Sequence, residues 1–502
     1  MSEIDVIVIG TGMGGGTIGR HLAEAGARVL FLEKGKTQHP NEERQLHAEM
    51  FEPTGRLVRG LWPAPLDATV DGHTSRSYAP IGSGVGGSSS FYAATLERPE
   101  RHDIDHSSAR AHPTGGWPID YDTLAPRYDR AEELYEICGA PDPLSPEPQA
   151  ALIAPPPLTR ADESLKASFE ANGLHPYRLH AAIRYEADGT PQQTLDGRTA
   201  GVLPALASGK AGLRDRCDVQ RILPGPDGIA VEAICQGRAE TFNARQVVLA
   251  AGAFGTPRLA MRSELPDPSG LIGRNLMFHL NEMIALWPKD KAASGPSKAL
   301  SLRDLYHLEG QRFGTVQAMG IDVTYGEIVY FLDQTLARSK MPKLPGQWLA
   351  LRAAAGIAAR IFGQAKIFVG LLEDLPYAEN RVKLTDDDTL ACDYTIHPEL
   401  RARRKAFRKA MAQAFRGHLK WFLSMQPELN FGHGCGTMKM GHDPATSVTD
   451  PQGRLRECPG LWVADASLFP TSMGVNPSLT IAALALHVGD AILETLKKGP
   501  TP

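Results

Sequence analysis

The sequence predicts an α/β protein in which a Rossmann-like nucleotide-binding domain is combined with a second, substrate-binding α+β domain. Two observations predict the first domain: an apolar run at Ile4–Ile9 leads into a glycine-rich turn, and another at Gln246–Ala251 leads into Gly252. Such apolar runs are typical of parallel strands that are covered on both faces. A second domain is predicted because residues 285–430 contain no further glycine-rich nucleotide turn.

The N-terminal segment has the pattern strand, turn, helix, strand. After Ile4–Ile9 comes Gly10-Thr11-Gly12-Met13-Gly14-Gly15, then a helical stretch to about Ala25 and a second strand at Arg28–Leu32. This order is that of a βαβ unit. Farther along we expect a second glycine-rich turn at Gly82–Ser90, a helix over residues 121–137, and a proline-rich connector over residues 141–157.

The first glycine turn has the spacing G-x-G-x-x-G at Gly10, Gly12 and Gly15. In a nucleotide site one glycine permits the tight turn, one lets the backbone approach a pyrophosphate, and one allows close helix–strand packing. Glu33 ends the second strand, where an acid accepts hydrogen bonds from an adenosine ribose. The turn alone is weak evidence, but with its strand, helix and acid it favours dinucleotide binding.

Composition excludes several classes of protein. The chain has 502 residues, of which 42% are hydrophobic and 22% charged, with a formal net charge of −4. These values are close to those of soluble globular proteins, so we exclude wholesale disorder and a fibrous repeat. The near balance of charge argues against a nucleic-acid partner. The length predicts two or three domains.

The six cysteines are far apart, and no two have the C-x-x-C spacing. We therefore expect reduced thiols and neither a zinc ribbon nor an iron–sulfur cluster, and we predict no metal site. The N-terminus lacks the basic and apolar regions of a signal peptide, which predicts a cytoplasmic protein. The uncharged stretch Ala466–Gly489 contains two prolines, which make a membrane span improbable, and a buried loop leading into a core helix explains it better.

Two amphipathic stretches each have two interpretations. Arg401–Leu423 has eight basic residues and an apolar stripe at helical spacing, which is typical of a membrane-surface helix or of a core helix with a solvated face. Gln347–Gly363 has little charge and several large apolar residues, and it would either line a substrate entrance, touch lipid or pack in the core. In both stretches core packing is the favoured interpretation.

Several separate motifs together resemble those of the glucose–methanol–choline (GMC) family of FAD-dependent alcohol oxidoreductases. They occur in the family's order and span nearly the whole chain: Gly10–Gly15, Gly86–Ser89, Gly116–Pro118, Gly252–Leu259, Gly273–Leu276, Leu375-Pro376 with Asn380–Val382, and His433–Ala485. The C-terminal stretch beginning His433-Gly434-Cys435-Gly436-Thr437 is similar to the family's H-x-x-G-T-x-x-M-G. Each motif alone is modest evidence, whereas the joint match is specific.

The resemblance implies that His433 is the catalytic base and Asn476 its partner. Oxidation of an alcohol requires that the hydroxyl proton leave while the hydride passes to the flavin. Imidazole suits the proton step because its pKa lies near neutral pH, and an amide can hold the same oxygen. Without the surrounding motifs, a histidine in a glycine-rich loop and an asparagine before a proline would more often be structural.

The resemblance also implies FAD as cofactor. The expected contacts are Gly10, Gly12, Gly14, Gly15, Glu33, Lys34, Gly86, Gly87, Ser88, Ser89, Val219, Ala251, Gly252, Thr256, Asp465, Ala466, Asn476 and Pro477. Some family members attach FAD to a histidine at the position that Phe91 occupies here. Because phenylalanine has no nucleophilic atom, we expect non-covalent FAD.

A discontinuous domain organisation follows from these assignments. The FAD-binding domain would comprise residues 1–120 and 200–285, the substrate domain residues 121–199 and 286–429, and residues 430–502 would form a C-terminal active-site and FAD-binding segment. The implied reaction is oxidation of a CH–OH group of an alcohol or sugar to a carbonyl, with oxygen, a quinone or dye, or a redox protein as electron acceptor. Two alternatives stay open: an FAD-containing lyase that cleaves cyanohydrins, and a flavin subunit that docks to an electron-transfer partner. No integral membrane segment is expected.

Overall fold

The protein is described from a computed structural model. It covers residues 4–37, 53–149, 151–226, 228–289, 297–320, 345–385 and 389–498, with short pieces between 328 and 336. The predicted domain boundaries at 1 and 502 lie outside these residues.

Short strands are the most numerous elements of the described residues. In chain order they are β1 Val6–Ile9, β2 Val29–Leu32, β3 Leu66–Val70, β4 His73–Ser77, β5 Tyr177–Arg178, β6 Ile183–Tyr185, β7 Pro191–Thr194, β8 Ala211–Arg214, β9 Cys217–Gly225, β10 Gly228–Cys235, β11 Arg238–Ala244, β12 Gln246–Leu249, β13 Leu280–Trp287, β14 Leu300–Leu302, β15 His307–Leu308, β16 Gln311–Arg312, β17 Val316–Ala318, β18 Lys366–Leu372, β19 Arg381–Lys383, β20 Ala391–Tyr394, β21 Leu419–Phe422 and β22 Leu461–Val463.

The helices lie between and around the sheets. The α-helices are α1 Met13–Glu24, α2 Pro53–Val58, α3 Tyr121–Leu134, α4 Arg160–Ala171, α5 Leu203–Ala207, α6 Gly252–Arg262, α7 Gln347–Phe362, α8 Pro398–Ala414 and α9 Ser478–Lys498. Short 3₁₀ turns occur at Gly87–Phe91, Arg101–Asp103, Phe431–His433 and Ala466–Leu468, and a π-helical turn occurs at Gly197–Val202.

A five-stranded parallel sheet forms the centre of the first domain. Its strand order is β22-β12-β1-β2-β8, and every neighbouring pair is parallel. Val6, Ile7 and Val8 are fully buried, as expected for a strand covered on both faces. Helix α1 connects β1 to β2, and α9 packs against both α1 and α3. The predicted Rossmann-like βαβ start is confirmed.

The second domain is built on a six-stranded sheet with the order β21-β13-β18-β17-β14-β5. Its described pairs are antiparallel, and α8 covers β13 and β18. The contact is so close that a Cβ on Gly370 of β18 would lie 2.6 Å from the ring of Phe407. The apolar stripe of α8 therefore packs in the core, as predicted, although the helix ends at Ala414 and the exposed Leu419 lies on β21.

The two domains exchange segments more often than the predicted boundaries imply. Strands β3 and β4, from the part assigned to the FAD-binding domain, form a four-stranded sheet with β19 and β20. Helix α3, from the part assigned to the substrate domain, contributes Tyr121 and Tyr128 to the same hydrophobic core as the parallel sheet. Local patterns do not reveal such exchanges because they are set by tertiary packing.

Helix α7 differs from its predicted environment. Of its residues Ala355 is buried, whereas Leu349 and Ile357 are 74% and 64% exposed. The interpretation of Gln347–Gly363 as a core helix is therefore wrong for most of its apolar side chains.

Helix α9 is long and apolar enough to cross a membrane by length and composition alone, the one such helix among the described residues. More than half of its most apolar window is buried inside the protein. The segment before it, residues 469–477, is a buried loop. A buried loop followed by a core helix is the arrangement that the sequence favoured for this region.

Cys217 and Cys235 face each other on the antiparallel strands β9 and β10 and are joined by a disulfide. The expectation that all six thiols are reduced is therefore wrong for this pair, because strand register brings together two cysteines that lie far apart in the sequence. The other four are buried free thiols.

Candidate functional site

A cavity of about 280 Å³ lies at the carboxyl ends of strands β1, β2 and β12. Its wall also includes residues of the loops 80–95, 431–434 and 465–478. Ligands of open α/β sheets bind outside the carboxyl ends of the strands, where the loops supply specific groups. The glycine turns and the C-terminal motif therefore meet at this one cavity.

The first glycine turn forms one wall of this cavity. Gly10 has φ +97°, and a Cβ there would lie 2.4 Å from the carbonyl oxygen of Ala250. A Cβ on Gly14 would clash with the carbonyl oxygen of Ala464, and one on Gly15 with that of Gly10. Because backbone segments pack closely here, no side chain fits at these three positions.

Gly12 differs from these three glycines because a Cβ on it would clash with no protein atom. The nearest protein atom to a Cβ at this position is Cα of Gly87, at 3.8 Å. A side chain at Gly12 would thus extend into the cavity rather than into protein. Gly12 also precedes α1, and within the described chain no side chain caps this helix. Its first N–H groups are suited to an anionic ligand such as a pyrophosphate.

The second glycine turn packs on the first. Gly86 has φ +103° and precedes the 3₁₀ turn in which Gly87, Ser88 and Ser89 lie. The Ser88 hydroxyl accepts a hydrogen bond from the Gly82 amide, and the Ser89 hydroxyl donates to the Gly86 carbonyl oxygen. Both serines are thereby used to hold the turn.

Phe91 ends this 3₁₀ turn and does not line the cavity, whereas the next residues, Tyr92 and Ala93, do. Phe91 is therefore not among the residues that face the cavity.

Glu33 is buried at the end of β2 and also lines the cavity. Its carboxylate accepts hydrogen bonds from the Thr11 amide at 3.1 Å, the Thr11 hydroxyl at 2.6 Å and the Gly35 amide at 3.0 Å. Burial raises its pKa above the usual range of a glutamate. Thr11, which the sequence analysis did not single out, thus fixes the orientation of the predicted ribose-binding acid.

Lys34 and Val219 lie on the wall beside Glu33. The Lys34 ammonium is 3.1 Å from a carboxylate oxygen of Asp218 and 4.2 Å from the centre of the Trp62 ring. A nucleotide base that stacked near Val219 would lie at this edge of the cavity.

Asp465 joins two of the predicted cofactor segments. One carboxylate oxygen accepts from the Gly252 amide at 2.8 Å and the Thr256 hydroxyl at 2.5 Å. The other accepts from the amide and hydroxyl of Ser467. Burial raises the pKa of Asp465 above its usual range. The carboxylate therefore holds the end of β22 against the start of α6.

The structure thus brings nearly all predicted site residues to one cavity. Three of them lie just behind the wall and do not line it: Gly15, Gly86 and Thr256. The others line it: Gly10, Gly12, Gly14, Glu33, Lys34, Gly87, Ser88, Ser89, Val219, Ala251, Gly252, His433, Asp465, Ala466, Asn476 and Pro477.

His433 ends the 3₁₀ turn Phe431–His433 and lines the cavity. Its Nδ1 lies 3.1 Å from Nδ1 of His279, a fully buried histidine just before β13. Nε2 of His279 donates to the carbonyl oxygen of Met473 at 2.9 Å. Burial lowers the pKa of His279 to about 4, and burial together with the neighbouring His279 lowers the pKa of His433 well below its usual range. Both imidazoles are therefore neutral at neutral pH.

Asn476 lies on the same wall and is 8% exposed. Its Oδ1 is buried and has no hydrogen-bond partner among the described residues. A buried amide oxygen without a partner is costly unless a ligand group satisfies it. Asn476 is thus suited to bind a polar group of a substrate or cofactor.

The residues present fit FAD. The glycine turn has an exposed Cα and helix-end amides for the pyrophosphate, Glu33 offers a buried carboxylate for the ribose, and Asn476 presents an unsatisfied amide oxygen near His433.

His279 is the main site residue that sequence reasoning missed. It lies in Phe278-His279-Leu280, where an apolar context indicates a core position and no motif marks it. The feature of the sequence that could have indicated His279 is its place directly before a buried strand.

Comparison with known proteins gives a consistent result over the whole chain. The two models of the GMC oxidoreductase family match residues 4–281 and 376–485. A 2-methyl-1,2-propanediol dehydrogenase from Mycolicibacterium austroafricanum is 28% identical, with 98% of this chain and 95% of the relative covered. A paromamine 6'-oxidase from Streptomyces fradiae is 26% identical, with 97% and 91% covered.

Among solved structures, pyridoxine 4-oxidase from Mesorbium loti has a TM-score of 0.63 and 18% identity to this chain. The match covers 97% of this chain and 99% of the solved one. At this identity the likeness shows the shared fold.

Proposed function

This chain belongs to the GMC oxidoreductase family, and we propose on that premise that it oxidises a hydroxyl-bearing carbon of a small alcohol or sugar to a carbonyl. The observation that carries the proposal is the meeting of His433 and Asn476 with the glycine turns on the wall of one cavity. A base and a nucleotide-binding wall in one cavity are what hydride transfer from an alcohol requires.

FAD is the cofactor that the family supports, and the chemistry it supplies when bound is acceptance of a hydride from the alcohol carbon. The turn at Gly10–Gly15 and the start of α1 would hold its pyrophosphate, Glu33 its ribose, and the wall at Val219 its adenine. We propose non-covalent binding, because Phe91 has no nucleophilic atom and does not line the cavity.

His433 is the proposed base, and its hydrogen bonds determine which ring nitrogen acts. The Met473 carbonyl oxygen can only accept, so Nε2 of His279 carries a hydrogen and its neutral ring leaves Nδ1 as an acceptor. Nδ1 of His433 must then carry the hydrogen of the bond between the two rings. This leaves Nε2 of His433 with a lone pair that takes the proton of the substrate hydroxyl.

Asn476 has the complementary role in this proposal. An amide does not compete for the proton at neutral pH, and its side chain both donates and accepts. Its NH₂ group would hold the substrate oxygen while His433 removes the proton. The unsatisfied Oδ1 is available to a second polar group of the ligand.

The relatives differ in what accepts the electrons, since one is named a dehydrogenase and the other an oxidase. For this chain we propose a small alcohol or sugar as substrate, with oxygen, a quinone or dye, or a redox protein as acceptor.

The test is anaerobic mixing of the FAD-loaded protein with a panel of alcohols and sugars, monitored by loss of the flavin absorbance. With a substrate that bleaches the wild type, His433→Ala should slow flavin reduction by about 10²–10⁴-fold, the usual contribution of a general base. His442→Ala is the matched control, because His442 is an exposed histidine in the same segment.

Asn476→Ala should slow reduction less than His433→Ala. Because both residues act on one oxygen, the double variant should lose less than the product of the two single losses. Bleaching by no member of the panel would contradict the proposed reaction, and wild-type reduction by FAD-loaded His433→Ala would contradict the proposed base.

A further inference from the structure

A second group of chemically reactive side chains lies outside the cavity. Glu100 and His102 flank Arg101 at the 3₁₀ turn Arg101–Asp103, and His307 begins β15. None of the three lines the cavity described above. Their ligand atoms all lie within 4.8 Å of one another.

The geometry of the three side chains is convergent. Nε2 of His102 lies 2.5 Å from Oε2 of Glu100, and Nε2 of His307 lies 3.9 Å from the same oxygen. The two imidazole rings are 4.0 Å apart between centroids. One nitrogen of each imidazole therefore lies within 4 Å of the same carboxylate oxygen.

Hydrogen bonds among these groups leave one imidazole nitrogen, Nε2 of His307, without a partner among the described residues. Nε2 of His102 is close both to an acceptor, Oε2 of Glu100, and to a donor, the Arg110 guanidinium at 2.8 Å. When this nitrogen donates to Glu100, Nδ1 of the same ring, which is 3.3 Å from the guanidinium, accepts from Arg110. Nε2 of His307 is buried and has no hydrogen-bond partner in the part of the chain that the structure describes.

We propose that Glu100, His102 and His307 bind one divalent transition-metal ion of the zinc class, with water as the fourth ligand. Imidazole nitrogen and carboxylate oxygen are ordinary zinc ligands at about 2.0–2.2 Å. In a tetrahedral site such ligands are about 3.4 Å apart, a value that follows from these bond lengths. The separations of 2.5 and 3.9 Å from the Glu100 oxygen bracket it, and all three ligand atoms lie within 4.8 Å of one another.

Arg110 lies beside the proposed site, with its guanidinium 3.7 Å from Oε2 of Glu100, and the buried Arg303 also places positive charge near this carboxylate. Its side chain is half-exposed, so it can turn into solvent when a metal ion takes its place beside the carboxylate. Replacement of a guanidinium by a divalent ion keeps positive charge next to Glu100.

A metal ion at this site would stabilise the structure and would not contact the reacting atoms. Glu100 and His102 come from the N-terminal third of the chain, and His307 comes from the hairpin β15–β16. The next residue to His307, Tyr306, donates to Asp103 at 2.6 Å and accepts from the amide of Gly474 at 2.9 Å. A metal would therefore clamp the hairpin that supports the loop leading to Asn476.

Zinc binding to the FAD-loaded protein tests the proposal. After dialysis against a chelator, Zn²⁺ is added back and the bound metal is measured by mass spectrometry after gel filtration. We expect one zinc per chain and a higher unfolding temperature, because a ligand that binds the folded state stabilises it.

Two ligand variants and one control make the result specific. His307→Ala and Glu100→Gln should each weaken zinc binding by more than about 100-fold, since loss of an outer-shell partner alone costs up to about that much. His175→Ala removes an exposed histidine paired with Asp304 and should bind zinc as the wild type does.

The two variants also guard against a folding defect, because a correctly folded variant retains its FAD. If one variant loses FAD, the zinc binding of the other variant tests the proposal. The proposal is overturned if the wild type binds no stoichiometric zinc, or if a FAD-loaded variant binds as much zinc as the wild type.

Discussion

Nδ1 of His433 lies 3.1 Å from Nδ1 of His279, with the two rings nearly perpendicular at 86°. His279 is itself held by the carbonyl oxygen of Met473, a residue with the left-handed φ of +60°. Non-glycine residues with such φ values are uncommon and cost energy unless the surroundings enforce them. A strained loop residue thus sets the hydrogen position on the proposed base through an intermediate histidine.

The first prediction concerns His279 as a positioning residue. His279→Leu removes the acceptor for Nδ1 of His433, so the ring loses both its tautomer preference and its orientation. We expect flavin reduction to slow by about 100-fold, the cost of a small misplacement of a reacting group. The measurement is anaerobic stopped-flow reduction with a substrate of the wild type.

His279→Asn is the matched variant, because its amide oxygen can accept a hydrogen bond near the position of Nδ1. It should retain most of the rate that His279→Leu loses. If the two variants are equally slow while their FAD content is normal, orientation through this hydrogen bond is not the role of His279.

The second prediction concerns pH. The proposed base must be neutral to accept a proton, so protonation of His433 at low pH should stop the reaction. Because burial lowers the pKa of His433 below its usual value of 6.5, kcat/KM should rise with pH through a pKa below 6.5 and stay level above it. An acidic limb centred at or above 6.5 would contradict the lowered pKa.

The third prediction concerns Gly12. Its missing side chain leaves space in the cavity, where the nearest protein atom to a Cβ is 3.8 Å away. Gly12→Val should therefore fold yet fail to retain FAD, as measured by the absorbance ratio of the purified protein. Gly356→Val is the control, since a Cβ there meets nothing within 4 Å and the position lies on α7. A folded Gly12→Val protein with full flavin would show that the pyrophosphate binds elsewhere.

The fourth prediction concerns the attachment of FAD. Acid precipitation should release the yellow colour into the supernatant, because Phe91 cannot form a covalent bond to the flavin. Phe91→His is the informative comparison: the residue does not line the cavity, so the variant should release its flavin as the wild type does. Colour that stays with the wild-type pellet would mean attachment at another residue.

The features predicted correctly from the sequence depend on local spacing. The strands beside Gly10 and Gly252 could be predicted because their apolar runs and glycines are contiguous in the chain. Helix α8 could be predicted for the same reason, since Phe407 and Met411 repeat at helical spacing.

The features that were missed depend on contacts between distant residues. His279 meets His433 through tertiary packing, in which the Asn430 amide donates to the His279 carbonyl oxygen. The Cys217–Cys235 pair depends on strand register. Helix α7 has the composition of a core helix, but neighbouring elements bury Ala355 rather than Leu349. The composition of a helix does not determine which of its side chains another element covers.

Strand β22 lies beside β12 in the parallel sheet, although the chain between them builds much of the second domain. A growing polypeptide that has left the ribosome as far as β12 therefore still lacks one edge of the sheet, together with Asp465 and His433. Domains generally fold as units during synthesis, and this one cannot finish until the second domain has been made. Cofactor loading consequently becomes a late event in biogenesis, and chains interrupted in translation would accumulate without flavin.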